Sequence, residues 1–186
     1  MTPALAALML GLAIGWASGG QPSGLRRVSL KYESVVVVLF IVQALLRGRL
    51  PSFSTATQFA FAGWVVSVVL LVVVLLPDRR QNGIPLVMAA MALNLLVVLA
   101  DRGMPVVIAG IPSLAFRAAV QTVASGGYYH LAHPGDVILF LADCLPLHVG
   151  VSTLMLSVGD VLLVVGTAVF VAGHMLEDPK PSDVLE

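Results

Sequence analysis

The chain has 186 residues, 59% of them hydrophobic and only 11% charged, with zero formal net charge and a mean hydropathy of +1.00. A soluble domain carries about 25% charged residues, so this chain has too little charge to coat a water-exposed surface, and lipid must cover much of it. Zero net charge offers no basic stripe for nucleic acid, and a single cysteine, Cys144, excludes an intrachain disulfide or a CxxC motif.

A membrane-spanning helix needs about 20 apolar residues, and five segments approach that length: 3–18, 32–46, 53–76, 84–100 and 158–176. The first lacks the basic n-region of a secretory signal; Ala17-Ser18-Gly19 has the small residues of a cleavage site. Ala7, Gly11 and Gly15 recur at four-residue spacing in it, a stripe on which another helix backbone packs closely and which favours retention. The second segment is short, and flanking Lys31, Arg47 and Arg49 must snorkel or the bilayer thin around it. The third is long and uninterrupted. Asn82-Gly83-Ile84-Pro85 opens the fourth, with proline in the first turn, where its missing N–H costs nothing. The fifth carries Gly159, Gly166 and Gly173 at seven-residue spacing.

The connection over 102–157 is too apolar for a solvated loop. Pro112 is predicted to start an amphipathic helix with Ser113, Arg117 and Gln121 on its polar face, lying in the interface or packed re-entrantly on the bundle. Gly126-Gly127 reads as a turn before Tyr128 and Tyr129, and the apolar run Val137–Ala142 is too short to cross. The expected fold is therefore an all-α membrane protein: one domain over 1–176 made of five transmembrane helices, with an interfacial or re-entrant connection between the fourth and fifth and a disordered acidic tail over 177–186. Arg26, Arg27, Lys31, Arg79, Arg80 and Lys180 fall on one side, and Arg47, Arg49, Arg102 and Arg117 on the other. Positive-inside bias then puts the N-terminus and the long connection outside and the C-terminus in the cytoplasm.

Candidate chemistry gathers at one end of the bundle. Asn94 and Asp101 are seven residues apart on one face of the fourth helix, and Asp160 opens the fifth. Ionisable groups at membrane depth are expensive and mark functional sites, yet Ser157-Val158-Gly159-Asp160 also has the spacing of a capping box, which is a structural use of the same carboxylate. Asp143, after an apolar run and before Cys144-Leu145-Pro146, is expected to lie with Asp101 and Asp160. These three form the candidate catalytic group, since clustered carboxylates push one another's pKa upward. Asn94, Arg102 and Arg117 are the candidate substrate-binding residues, Arg117 as an anion clamp. His130, His133 and Asp136, spaced H-x-x-H-x-x-D, are a candidate metal set. Pro134-Gly135 breaks any helix, so the spacing alone does not place the imidazoles on one face; interfacial histidines are the competing reading. His148, His174 and Cys144 read as packing or interface residues.

Leu141-Ala142-Asp143 with Pro146, Ser157-x-Gly159-Asp160 opening the last helix, Gly11-Leu12-Ala13-Ile14-Gly15 before a basic loop, and Asn94 through Asp101-Arg102-Gly103-Met104-Pro105 together resemble a bacterial family of small multi-pass membrane proteins known only as a domain of unknown function. The resemblance covers nearly the whole chain. It implies a bacterial plasma membrane and a shared five-helix plan, and no activity or cofactor.

Three function classes fit these residues. The first is an accessory or structural subunit, held in a homo-oligomer or larger membrane complex by the glycine faces of the first and fifth helices. The second is an enzyme or binder acting on a lipid-linked or amphipathic substrate at the membrane surface through Asp101, Asp143 and Asp160. The third is a proton- or ion-coupled transporter, disfavoured because no inverted repeat or paired broken helices appear.

Overall fold

A computed structural model describes residues 3–48, 55–108, 129–149 and 152–177. Its helices are α1 (Pro3–Ala17), α2 (Glu33–Gly48), α3 (Thr55–Leu75), α4 (Ile84–Ala100) and α5 (Val158–Leu176), with short 3-10 turns at Pro22–Arg27 and Leu76–Asp78. Four strands, β1 (Met104–Val106), β2 (Tyr129–Leu131), β3 (Leu145–Val149) and β4 (Ser152–Leu156), lie in the connection between α4 and α5. The protein is mostly helical, but the strands correct the all-α expectation.

Two helices are long and apolar enough to cross a membrane, Phe61–Asp78 and Val158–Leu176; Leu5–Ala17, Glu33–Gln43 and Ile84–Ala100 are apolar but shorter. The expectation of five spanning helices therefore has support from length at two positions among the described residues.

Small residues set the packing. α5 lies between α1 and α4, and α3 links α4 to α2. A Cβ on Gly11 would stand 2.7 Å from Val171 and 2.9 Å from the Ala168 carbonyl, and one on Gly15 2.7 Å from Met175 sulfur, so α1 and α5 run parallel in backbone contact. Gly159 meets Ala90 and Asn94 while Gly166 meets Leu86 and Val87, so α4 and α5 are antiparallel. Gly83 supplies the left-handed residue (φ 82°) that starts α4, and a side chain there would overlap the Gly166 carbonyl. The glycine faces of α1 and α5 are thus occupied by helices of the same chain.

The loops at the two ends close differently. At one end the N–H of Lys31 donates to Asp78 Oδ2 (3.1 Å), Gln81 Nε2 donates to the Ser29 carbonyl (3.1 Å), and the N–H of Gln21 donates to the Met175 carbonyl (2.8 Å). These bonds gather Arg26, Arg27, Lys31, Arg79 and Arg80 at that end. At the other, α4 stops at Asp101 when Arg102 turns left-handed (φ 54°) and the N–H of Gly103 bonds back to the Val98 carbonyl at 3.0 Å, a glycine-type helix stop built on an arginine.

The chain then enters a small cap. β1 pairs in parallel with β2, Pro105 opposite His130, and Val106 is bridged on its opposite edge by Asp143. Pro105 has no N–H to extend the ladder on the Asp143 side toward Met104. β3 and β4 form an antiparallel hairpin, Leu145 opposite Leu156, that delivers the chain to Ser157 and α5. Met104 and Ala142 belong to the same buried cluster as Trp64, Leu71, Val97 and Val98, so the cap is continuous with the helix core. The helix expected from Pro112, with Arg117 and the Gly126-Gly127 turn, and the tail after Glu177 lie outside the described residues.

Candidate functional site

Two separate polar clusters stand at the capped end. The first joins α4 to α5. Ser157 Oγ accepts from the N–H of Asp160 (2.9 Å) and the N–H of Ser157 donates to Asp160 Oδ2 (3.2 Å), completing the capping box. Asn94 is built into it: its Nδ2 donates to Asp160 Oδ1 (3.2 Å), and its Oδ1 accepts from Ser157 Oγ (2.9 Å). Ser157 is fully buried and Asn94 nearly so. Gly159 makes the arrangement sterically feasible, since a side chain there would overlap the Asn94 amide. Both Asn94 and Asp160, candidate site residues from the sequence, are thereby tied into a structural junction.

That junction also fixes depth. Asp160 sits against Asn94, and Asn94 is seven residues before Asp101, about 10 Å along α4. Asp101 is engaged elsewhere: its Oδ1 accepts from the N–H of Val137 (2.8 Å) and pins the cap loop to the end of α4. Its Oδ2 is buried and has no hydrogen-bond partner among the described residues. Asp143 is buried in the bridge to β1, its N–H on the Pro105 carbonyl (3.1 Å) and its carbonyl on the N–H of Val107 (3.0 Å). Asp160 therefore belongs to the junction with Asn94, whereas Asp101 and Asp143 hold the cap. Arg102 is exposed at the left-handed stop of α4.

The second cluster lies on the cap and is made of the residues spaced H-x-x-H-x-x-D. β2 holds His130 opposite Pro105. After it, His133-Pro134-Gly135-Asp136 folds as a β-turn closed by the N–H of Asp136 on the His133 carbonyl (3.0 Å), with proline and glycine at its centre as turn chemistry favours. His130 Nε2 lies 3.1 Å and His133 Nε2 3.2 Å from the same atom, Asp136 Oδ1. Asp136 Oδ2 accepts from the N–H of His133 (2.8 Å). The side chains are 27%, 60% and 1% exposed for His130, His133 and Asp136 respectively. Burial pushes the Asp136 carboxyl up, but the bonds from the His133 N–H and the His130 ring and the charge of both imidazoles outweigh it and hold the group below its ordinary value. The Pro-Gly pair that breaks a helix is the element that brings these three side chains together.

Other candidates are less engaged. His174 is buried on α5, its Nδ1 2.8 Å from the Phe170 carbonyl, as a packing residue. Cys144 is half-buried, its sulfur 3.9 Å from the Phe140 carbonyl. An open cleft of about 280 Å³ lies at the opposite end of the bundle, between Ser18–Gly24 and Met175–Glu177, away from both polar clusters.

The profile of a family of unknown function (DUF5317) matches residues 27–172. The chain belongs to this family. The DUF5317 match takes in both clusters and starts after α1, so the Gly11–Gly15 run lies outside it. No curated protein and no solved structure matches the chain.

Proposed function

We propose that the chain is a multi-pass membrane protein whose five helices form a scaffold and whose cap is a ligand-binding face at the outer membrane surface. The observation that carries this reading is an inside-out distribution of side chains. Ser67, Asn94 and His174 are buried between helices, whereas Val37, Val38, Val66, Leu96 and Val165 are exposed. Only 28% of the Phe61–Asp78 window and 39% of the Val158–Leu176 window is buried, at hydropathies of 2.3 and 1.8. A core helix of a soluble protein would be mostly covered, and leaving such surface in water is unfavourable by about 25 cal/mol per Å². The shorter helices, 15 to 17 residues, reach about 22–26 Å against a hydrocarbon core of about 30 Å, and local thinning takes up the difference at fractions of a kcal/mol per Å.

The clustering of Arg26, Arg27, Lys31, Arg79 and Arg80 at one end supports the cap facing outward, and the resemblance noted in the sequence supports a bacterial plasma membrane. The accessory-subunit reading loses its main support, because the glycine faces it relied on are filled within the chain. Among the described residues the cap retains an unbonded Asp101 Oδ2 and a solvent-facing His133 ring, which favours binding at the surface.

The test is cysteine accessibility in intact cells, in a Cys144→Ala background. Val137 on the cap is 76% exposed, and a cysteine there should react with an impermeant maleimide while one at Arg80 reacts only after lysis. Labelling of Arg80→Cys alone in intact cells would invert the orientation, and release of the chain from membranes by alkaline carbonate would overturn the membrane reading.

A further inference from the structure

We propose that His130, His133 and Asp136 bind a divalent transition-metal ion of the zinc class on the cap. This deepens the reading of the cap as a ligand-binding face and rests on it. The donor set is two imidazole nitrogens and one carboxylate oxygen, and all three ligand atoms lie within 4.8 Å of one another. Around a tetrahedral zinc ion, with bonds of about 2.0–2.2 Å, neighbouring ligand atoms stand about 3.3 Å apart. The two imidazole-to-carboxylate separations, 3.1 and 3.2 Å, already match that spacing.

The surroundings hold the donors in place. Oδ2 of Asp136 is tied to the His133 N–H, which leaves Oδ1 facing the rings, the kind of outer bond that orients a ligating carboxylate. The β-turn fixes the His133 backbone relative to Asp136, and the β1–β2 pairing fixes that of His130. Three protein donors with one side open to solvent leave a position for water or for a ligand brought to the membrane surface, as in zinc sites that do chemistry. Imidazole donors select zinc, cobalt, nickel or copper over calcium or magnesium, which prefer all-oxygen shells.

The hydrogen bonds of His133 also indicate what binding must change. Gly135 N–H donates to His133 Nδ1 at 3.0 Å. A neutral His133 ring therefore carries its proton on Nε2, aimed at Asp136. Ligation through Nε2 moves that proton to Nδ1, so the Gly135 bond must break and the ring must turn, which its 60% exposure permits. Metal loading should consequently alter the environment of the Gly135 amide.

The experiment uses the full chain, purified in detergent on a tag without histidine and stripped with a chelator. Zinc is titrated against a chromophoric competitor, and cobalt is added separately for its visible absorption. One zinc per chain is expected, undisturbed by excess magnesium or calcium, with the Gly135 amide resonance shifting in step. His130→Gln, His133→Gln and Asp136→Asn should each weaken binding at least about 100-fold, the upper end of what outer-sphere partners alone contribute. His133→Gln alters a mostly exposed side chain, so its fold should match the parent by circular dichroism. No zinc bound, or equal binding by the parent and His133→Gln, would overturn the site and leave the trio a hydrogen-bonded turn. Labelling of Val137→Cys on intact cells reports on the cap separately: retained labelling with no zinc sinks only the metal, and zinc bound by a chain whose cap labels only after lysis sinks only the outward orientation.

Discussion

The Asn94–Ser157–Asp160 junction makes a quantitative prediction through a double-mutant cycle. Asn94→Ala removes the bond to the Asp160 carboxylate, roughly 1.5–3 kcal/mol for a hydrogen bond to a charged group, and the bond from Ser157, roughly 1 kcal/mol. The substitution should destabilise the protein by about 3 kcal/mol, a fall of about 6–12 °C in Tm for a chain of this size. Asp160→Ala loses the same shared bond together with the cap, itself about 1 kcal/mol. Because the shared bond can be lost only once, the double variant should be more stable than the sum of the singles by about 1.5–3 kcal/mol. The assay is reversible unfolding in mixed micelles, followed by the fluorescence of buried Trp64. Gly159→Ala adds a steric arm: it should be destabilising in the parent, where the new methyl overlaps the Asn94 amide, and much milder beside Asn94→Ala. Additivity of Asn94→Ala and Asp160→Ala within about 0.5 kcal/mol would show that the residues do not interact and would refute the junction.

Two further predictions concern backbone geometry. Gly83→Ala places a side chain at φ 82° and within 2.6 Å of the Phe170 nitrogen, and should destabilise by about 2 kcal/mol or more, read as a drop in Tm. Arg102→Gly relieves a left-handed residue at φ 54° and should raise stability by about 0.5–1 kcal/mol; a lower Tm would mean the Arg102 side chain makes a contact worth more than the relief.

The fourth and fifth helices start where Asn82-Gly83-Ile84-Pro85 and the Ser157 box punctuate the apolar runs, at Ile84 and Val158, whereas the expected start of the third at 53 lies outside the described residues. The small-residue stripe was legible too, but its partner was not: Gly11 and Gly15 have the same spacing whether they pack on α5 or on another chain. The strands were missed. β1 and β2 are three residues each and pair across more than twenty intervening residues, so no local period announces them. Pro134-Gly135 rules out a helical face for the histidine spacing, yet the same dipeptide favours the tight turn that folds Asp136 back onto both rings.

The three carboxyl-bearing residues are engaged differently, Asp160 by Asn94 and Ser157, Asp101 by the N–H of Val137, and Asp143 through its backbone in the bridge to β1. A group able to take a ligand needs unspent hydrogen-bonding capacity, and Asp160 has little, with both oxygens committed to Asn94 and Ser157. Among the described residues Asp101 keeps an unbonded oxygen, and His133 is the most exposed of the three side chains in the cap cluster. His133, 60% exposed, is the member of the His130–His133–Asp136 set that an ion arriving from water meets first. Metal capture, as proposed, would begin at the cap, while the part-buried Asp160 carboxylate ties the start of α5 to Asn94 on α4.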